Sequence, residues 1–164
     1  DRLEEDDIVR INGKKYLFND LGNPVYGLKK VYISDDEWTA FYFGDQETSS
    51  VQTGKMSITE SDGTKSDFYF SSSGRGYTGV RDGYLYYAGK KQEAVDGTKY
   101  MCYHVNGKNY VVNKSGKVMD DDEVKNADGV KFVTNSSGEL LSADGETDIS
   151  GYVEEPIEPY WDED

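Results

Sequence analysis

Short apolar runs alternate with polar, glycine-containing turns along almost the whole chain. Each run holds two to four consecutive aromatic, aliphatic or β-branched residues; the clearest are Tyr16–Phe18, Phe41–Phe43, Phe68–Phe70, Tyr84–Tyr87, Tyr110–Val112 and Phe132–Val133. Runs of this length and composition, bounded by turn residues, indicate short β-strands rather than helices. The pattern therefore predicts an all-β protein.

Two kinds of turn separate the predicted strands. The first is Asn-Gly or Asp-Gly, which suits a type I′ hairpin turn because both residues tolerate positive φ. It occurs at Asn12-Gly13, Asp62-Gly63, Asp82-Gly83, Asp96-Gly97, Asn106-Gly107 and Asp128-Gly129. The second kind has the sequences "NDLG", "SSSG", "NKSG" and "NSSG", which end at Gly22, Gly74, Gly116 and Gly138. Because the two kinds alternate, each unit of sequence is predicted to form one hairpin.

The glycines of the second turn define a repeat of about 21 residues. Gly116 and Gly138 are 22 residues apart, and Gly74 and Gly116 are 42 apart. The longer interval between Gly22 and Gly74 contains a stretch near 44–62 that we interpret as an irregular insertion. An isolated hairpin is marginally stable in water, so we expect these hairpins to stack into an elongated, solenoid-like array.

The repeat region is predicted to span residues 10–149. It follows an acidic segment, 1–9, and precedes an acidic segment containing two prolines, 150–164, which we interpret as a flexible tail. The chain has 18 basic and 32 acidic side chains, and the resulting net charge of −14 disfavours nucleic acid and anionic membranes as partners. The apolar runs are also too short to cross a bilayer.

Several segments resemble the cell-wall-binding repeat of Gram-positive surface proteins, which include choline-binding and glucan-binding repeats. The best copy is "DFYFSSSGRGYTG" (67–79); "KYLFNDLGNPVYG" (15–27) and "NYVVNKSGKVM" (109–119) fit the same frame, and "KFVTNSSGELL" (131–141) fits loosely. The resemblance implies stacked hairpins, an extracellular location reached through an export signal that has been removed, and non-covalent attachment to wall or other extracellular polysaccharide.

The chain departs from this family at the ligand cage. In the choline-binding members, two tryptophans and a tyrosine from successive hairpins hold the quaternary ammonium by cation–π attraction. The positions that correspond to the run-opening tryptophan hold Lys15, Ala40, Asp67, Asn109 and Lys131, and the Gly-Trp pair of the family is missing. Choline is therefore not the expected ligand, and a polysaccharide is the expected partner.

Aromatic residues of the repeats are the candidate binding site. Sugars stack on exposed rings, so a shallow platform is predicted from Trp38, Tyr42, Tyr69, Tyr84, Tyr86, Tyr87 and Tyr110. The competing interpretation is that these rings form the core between hairpins. It is favoured for Tyr84, Tyr86 and Tyr87, because a chain poor in aliphatic residues needs its rings for burial.

No catalytic residue, metal site or cofactor is predicted. Cys102 and His104, the one cysteine and the one histidine, are two residues apart on a predicted strand. Their Cα atoms would lie nearly 7 Å apart, which disfavours a thiol–imidazole dyad. The acidic stretches 4–7, 120–123 and 142–148 lack the ligand spacing of a calcium loop. The sequence leaves open whether two of the carboxylates form a pair suited to glycoside hydrolysis, because such a pair is identified by the distance between its two carboxyl groups in the folded protein.

The sequence thus predicts a non-catalytic, extracellular repeat module that binds cell-wall or extracellular polysaccharide through several weak sites. Two alternatives stay open. One is a structural spacer or adhesin stalk with no ligand in its grooves, and the other is an accessory region of a larger surface enzyme.

Overall fold

The computed structural model describes residues 2–163, which form short strands and two 3-10 turns, Glu5–Asp7 and Ser150–Tyr152. The strands are β1 (Leu3–Glu4), β2 (Val9–Ile11), β3 (Lys14–Tyr16), β4 (Leu28–Tyr32), β5 (Trp38–Tyr42), β6 (Gly54–Thr59), β7 (Lys65–Phe70), β8 (Gly79–Arg81), β9 (Tyr84–Tyr87), β10 (Lys90–Lys91), β11 (Met101–Val105), β12 (Lys108–Val112), β13 (Glu123–Lys125), β14 (Lys131–Thr134), β15 (Leu140–Ala143) and β16 (Val153–Glu154). The all-β prediction is confirmed. Asp1 and Asp164, the ends of the predicted segments 1–9 and 150–164, lie outside the described residues.

The chain divides into two compact units. Unit 1 comprises Asp1–Tyr77, Ala88–Lys90 and Glu158–Asp164, and unit 2 comprises Thr78–Tyr87 and Lys91–Ile157. The division interrupts the chain four times, so neither unit is a single stretch of sequence. The stacking of hairpins through residues 10–149 stays a prediction.

Unit 1 contains antiparallel hairpins of increasing length. β2 pairs with β3, β4 with β5, and β6 with β7, the last through six residue pairs from Gly54↔Phe70 to Thr59↔Lys65. β6 lies within the stretch 44–62, which the sequence predicts to be irregular, so the structure corrects the second half of that stretch. The burial of Ile58 between exposed Ser57 and Thr59 is the alternation that marks it as a strand.

Unit 2 contains β8 paired with β9, β11 paired with β12, and the three-stranded sheet β13-β14-β15. A short strand near the C-terminus, β16, adds to β11 in parallel through Cys102↔Val153 and Tyr103↔Glu154. The sequence predicts a flexible tail from residue 150 onward, and the structure differs: part of this segment is hydrogen-bonded as a strand.

Asparagine side chains build three of the four predicted turns of the second kind and a further turn at Asn126; the "SSSG" turn has Ser71 in the asparagine position, and Gly74 donates its N–H to the Ser71 carbonyl. In four copies the Oδ1 atom accepts the N–H groups of the residues two and four positions later at 2.9–3.0 Å; the asparagines are Asn19, Asn113, Asn126 and Asn135. The glycine three residues later then donates its N–H to the asparagine carbonyl. The same turn forms at each of these places because the asparagine side chain accepts hydrogen bonds from two backbone N–H groups that have no partner in a neighbouring strand.

The first kind of turn is confirmed at three of its six predicted sites. Both residues have positive φ at Asn12-Gly13, Asp82-Gly83 and Asn106-Gly107, as a type I′ turn requires. At Asp62-Gly63, Asp96-Gly97 and Asp128-Gly129 only the glycine does. Gly129 instead closes the turn that begins at Asn126, so the dipeptide alone does not determine the turn type.

Each unit has two hydrophobic clusters, and one hairpin contributes to both. In unit 1, opposite faces of β4–β5 place Val31 and Phe41 in one cluster and Leu28 and Ala40 in the next. In unit 2, β11–β12 does the same, with Tyr103 in one cluster and Cys102 in the other. A strand pair buried on both faces has runs of consecutive apolar residues, which explains why these strands do not alternate.

The aromatic run Phe68–Phe70 supplies the core of unit 1. Phe68 and Phe70 are each 1% exposed, and their rings stack with centroids 5.8 Å apart. Tyr69 points to the other face of β7, where it meets Tyr77 edge to face at 5.7 Å.

Candidate functional site

The seven predicted ring residues lie in both units and in different environments. Six are half-buried, namely Trp38, Tyr42, Tyr69, Tyr84, Tyr87 and Tyr110, whereas Tyr86 is buried. Tyr86 is only 4% exposed, because its position on β9 directs the ring into the interior, so the structure removes it from any surface platform.

Several of the half-buried rings mainly serve packing. Tyr42 stacks on Phe70 with a centroid distance of 6.4 Å, and burial raises the pKa of its hydroxyl. In unit 2, Tyr87 and Tyr110 pack against the cluster that contains Leu85. These contacts agree with the competing interpretation, in which the rings form the core.

One group of rings and cations in unit 1 has the character of a binding surface. We call it the Trp38 row, and it consists of Arg2, Lys30, Tyr32 and Trp38. Tyr32 and Trp38 are opposite each other across β4 and β5, and Lys30 is on the same face because it is two residues from Tyr32. All four side chains are exposed or half-buried.

Cations of the chain itself lie over the rings of the Trp38 row. The Lys30 ammonium is 4.5 Å from the centroid of the Trp38 ring and 5.8 Å from that of Tyr32. The Arg2 guanidinium is 4.0 Å from the Tyr32 centroid, and it also forms an ion pair with Asp35 at 3.6 Å. A positively charged ligand would have to displace these groups, since the same ring faces attract it.

A second ring in unit 2 is covered in the same way. The Lys91 ammonium lies 5.0 Å from the centroid of the Tyr84 ring and 3.6 Å from the Glu93 carboxylate. The combination of a half-buried ring, a flexible cation and a carboxylate is thus found in both units.

Sequence reasoning found Trp38 and Tyr84 but missed Arg2, Lys30 and Tyr32. Lys30 and Tyr32 could have been found from the alternation in "LKKVY", because it places both residues, with Leu28, on one face of a strand. Arg2 could not be found, because its contact with Tyr32 joins positions 30 residues apart.

Cys102 and His104 do not form a reactive pair. Cys102 is 1% exposed within the cluster that contains Phe132, whereas the exposed His104 places Nδ1 2.6 Å from Asn109 Oδ1. Burial raises the pKa of the Cys102 thiol to about 12. The thiol therefore stays protonated near neutral pH, and it is not an activated nucleophile.

We expect Cys102 to resist thiol reagents in the folded protein. Labelling with 5,5′-dithiobis(2-nitrobenzoate) at pH 8 should be at least about a hundredfold slower than in denaturant. In the folded protein the thiol is protonated and the reagent cannot reach the buried sulfur. Absorbance at 412 nm follows the reaction, and the unfolded chain serves as the control. Equal rates in the two states would contradict the burial of this side chain.

Neither a metal-binding cluster nor a membrane-spanning helix occurs in the part of the chain that the structure describes. Between residues 2 and 163, no three His, Cys, Asp or Glu side chains are grouped so that they could hold a metal ion. The same residues contain no helix with the length and apolar character needed to cross a bilayer.

Comparison with known proteins gives matches among solved structures. No protein-family model and no curated protein matches the chain. Choline binding protein F from Streptococcus pneumoniae is 25% identical with a TM-score of 0.52, and the match covers 83% of this chain and 40% of that chain. A crystal structure of the same protein in the presence of a peptidoglycan analogue is 27% identical, with a TM-score of 0.51 and the same coverage.

A further match supports the fold alone. CbpJ from Streptococcus pneumoniae TIGR4 is 23% identical with a TM-score of 0.50, over 81% of this chain and 40% of that chain. The chain therefore resembles choline-binding proteins remotely, as its repeats predict, and it spans about two fifths of the length of these structures.

Proposed function

We propose that this chain is a non-catalytic, extracellular module that binds the polysaccharide of a bacterial cell wall. The observation that carries the proposal is the Trp38 row, in which the half-buried rings of Tyr32 and Trp38 adjoin Lys30 and Arg2. The resemblance to choline binding protein F supports it, since that protein was crystallised in the presence of a peptidoglycan analogue.

The row suits a sugar better than a quaternary ammonium. A pyranose stacks its C–H face on an aromatic ring, and its hydroxyls exchange hydrogen bonds with nearby cations and carboxylates. Lys30 can swing from the Trp38 ring to such a hydroxyl without leaving its charge unsolvated, because its side chain is long and half-buried. Choline offers the ring only another cation, which competes with Lys30 for the same face.

Binding of this kind would be weak at each ring and strengthened by repetition. The Tyr84–Lys91–Glu93 group in unit 2 provides a second site in which a cation lies over a half-buried ring. Two such sites on one chain raise the affinity for a polymer through effective concentration, even when each contact alone is weak. The finer architecture that we propose is a stack of hairpins of about 21 residues, which would place such sites at regular intervals.

The function is tested by sedimentation with purified Gram-positive walls and by a glycan array. We expect retention of the chain on walls, and about a fivefold or greater loss of retention for Trp38→Ala, as stacked rings are worth about 1 kcal/mol or more. Tyr26→Ala is the matched control, because Tyr26 is a 47% exposed ring outside the row. Free choline should not elute the bound protein.

Two results would decide against this proposal. Absence of retention on walls and on every glycan would exclude polysaccharide binding, and elution by choline would identify choline as the ligand. Tyr32→Ala gives an independent check of the row, since it removes the neighbouring ring and leaves Trp38 in place.

A structural spacer is the second candidate function. It is favoured by the packing of Tyr42, Tyr87 and Tyr110 against the hydrophobic clusters and by the burial of Tyr86, because rings in such positions stabilise the hairpins. A spacer requires no ligand contact with the Trp38 row, so the wall-sedimentation experiment with Trp38→Ala distinguishes the two functions.

A further inference from the structure

Three consecutive residues near the C-terminus contact the rest of unit 1 through three different groups. Tyr160 donates its backbone N–H to Glu60 Oε1 at 2.8 Å, and Trp161 meets the Trp38 ring edge to face at 5.6 Å. Asp162 Oδ2 accepts the N–H of Leu28 at 2.9 Å. We call the surface that receives them the Trp161 groove; its residues are Gly27, Leu28, Lys29, Trp38 and Glu60, all within unit 1.

The centre of the groove receives an aromatic side chain. Trp161 packs against the hydrophobic cluster of unit 1 that contains Leu28, Ala40 and Phe68. A large flat ring that reaches a core cluster contributes more to binding than its polar neighbours do, because it removes the most apolar area from water.

One end of the groove is a buried, charged acceptor. The Glu60 side chain is 0% exposed, and its carboxylate is held by the Lys90 ammonium at 3.1 Å and by the Ser66 hydroxyl. The Lys90 ammonium also lies 5.2 Å from the centroid of the Tyr160 ring. Glu60 is thus fixed by unit 1, and one of its oxygens faces the N–H that the segment presents.

The other end of the groove fits an aspartate. Beyond the bond to Leu28 N–H, the backbone of Asp162 donates to Leu28 O at 3.0 Å and accepts from Lys29 Nζ at 2.8 Å. Gly27 leaves the necessary space: a Cβ there would lie 2.5 Å from Asp162 Oδ2. The groove therefore recognises a backbone N–H, a tryptophan ring and a carboxylate in sequence.

The segment itself is suited to leave its own groove. Pro159 directly precedes it and cannot donate a backbone hydrogen bond, and no strand follows β16 among the residues up to 163. The chain is held just before that point, because Ile157 exchanges two hydrogen bonds with the Gln92 side chain, so only the residues after it need to move. The Tyr160 side chain remains exposed while the segment is bound. The same residues of a second molecule present identical groups, so the groove accepts them with the same contacts.

We propose that the Trp161 groove is a peptide-binding site for a Tyr-Trp-Asp segment and that two copies of this chain exchange these segments. In dilute solution each groove holds its own segment, because the effective concentration of a tethered ligand is of the order of millimolar. Exchange between two molecules then dominates at high protein concentration, or when the segment of one molecule cannot fill its own groove.

The test uses two complementary full-length variants. Trp161→Ala has an open groove and no tryptophan to fill it. Gly27→Ala has an intact segment and a methyl group in the space that Asp162 occupies. We expect each variant alone to be monomeric by light scattering after size exclusion, and an equimolar mixture to show a doubled molar mass.

The matched control for the groove variant is Gly22→Ala. Gly22 has φ +81, close to the φ +88 of Gly27, but a Cβ at Gly22 has nothing within 4 Å. Gly22→Ala carries the same backbone strain with its groove still filled by its own segment. Its mixture with Trp161→Ala should therefore stay largely monomeric.

A second measurement keeps the proposal testable if Gly27→Ala does not fold. A synthetic peptide with the sequence of residues 155–163 should bind full-length Trp161→Ala, with Trp38 as the remaining tryptophan of the protein, and the same peptide with alanine at position 161 should not. Wild-type chain at about 1 mM should in addition contain dimer that Trp161→Ala lacks. A mixture of the variants that stays monomeric, or peptide binding without dimer at any concentration, would overturn the exchange.

Discussion

Replacement of Glu60 by alanine is expected to lower the free energy of unfolding by about 3–5 kcal/mol. Glu60 is 2% exposed and Lys90 is 8% exposed, so the variant leaves a buried ammonium without its carboxylate. The Ser66 hydroxyl and the Tyr160 N–H lose their acceptor as well. Urea unfolding followed by tryptophan fluorescence and by circular dichroism measures the loss.

The double variant Glu60→Leu/Lys90→Met is the matched control. It removes both charges and fills the space with apolar side chains, so we expect it to recover most of the stability that Glu60→Ala loses. The alternative, that this ion pair behaves as a surface pair, predicts a loss of about 1 kcal/mol or less for Glu60→Ala. Such a small loss would contradict the burial of the carboxylate.

The role of Glu60 could not be predicted from the sequence, for a physical reason. It lies in "TESDGT", where polar residues and a glycine indicate an exposed turn. Its burial depends on Lys90 and Tyr160, which are 30 and 100 residues away along the chain. Local patterns report the conformation of neighbours in sequence, and they contain no information on which distant side chain will cover a carboxylate.

The turns and strands were predictable because their causes are local. An asparagine that bonds the N–H groups two and four residues later needs only its own pentapeptide, and so "NDLG" and "NKSG" were recognised as one kind of turn. The same locality explains the error at Asp128-Gly129, where Asn126, two residues earlier, determines the turn instead. The strand Gly54–Thr59 was missed because it contains no aromatic run.

The candidate site was predictable only in part. Alternation along a strand places Tyr84 and Tyr86 on one face, yet the structure buries Tyr86 and leaves Tyr84 half-buried beneath Lys91. The two rings therefore differ in their surroundings, and the spacing of the rings along the strand does not encode that difference. The cations over the rings were missed for the same reason, although they determine which ligands the rings can accept.

The second large effect is expected at Gly138, the glycine of the "NSSG" turn. Gly138 has φ +84, and a Cβ at this position would overlap the Val118 side chain. Gly138→Ala should therefore lose about 1–2 kcal/mol from left-handed backbone strain. Overpacking adds about 1–3 kcal/mol, because Val118 is buried in the adjoining cluster and cannot move freely.

Gly22→Ala separates the two contributions. Gly22 ends the equivalent "NDLG" turn with φ +81, and a Cβ there meets nothing within 4 Å, so only the strain of about 1–2 kcal/mol should appear. Gly74→Ala, in the "SSSG" turn, should match Gly138→Ala, because its Cβ would overlap Val51. Thermal unfolding of the three variants measures these differences. Equal losses in all three variants would show that glycine is required only for its positive φ. A smaller loss for Gly22→Ala than for Gly74→Ala and Gly138→Ala, which we expect, would show that the turn also packs against a neighbouring side chain of its unit.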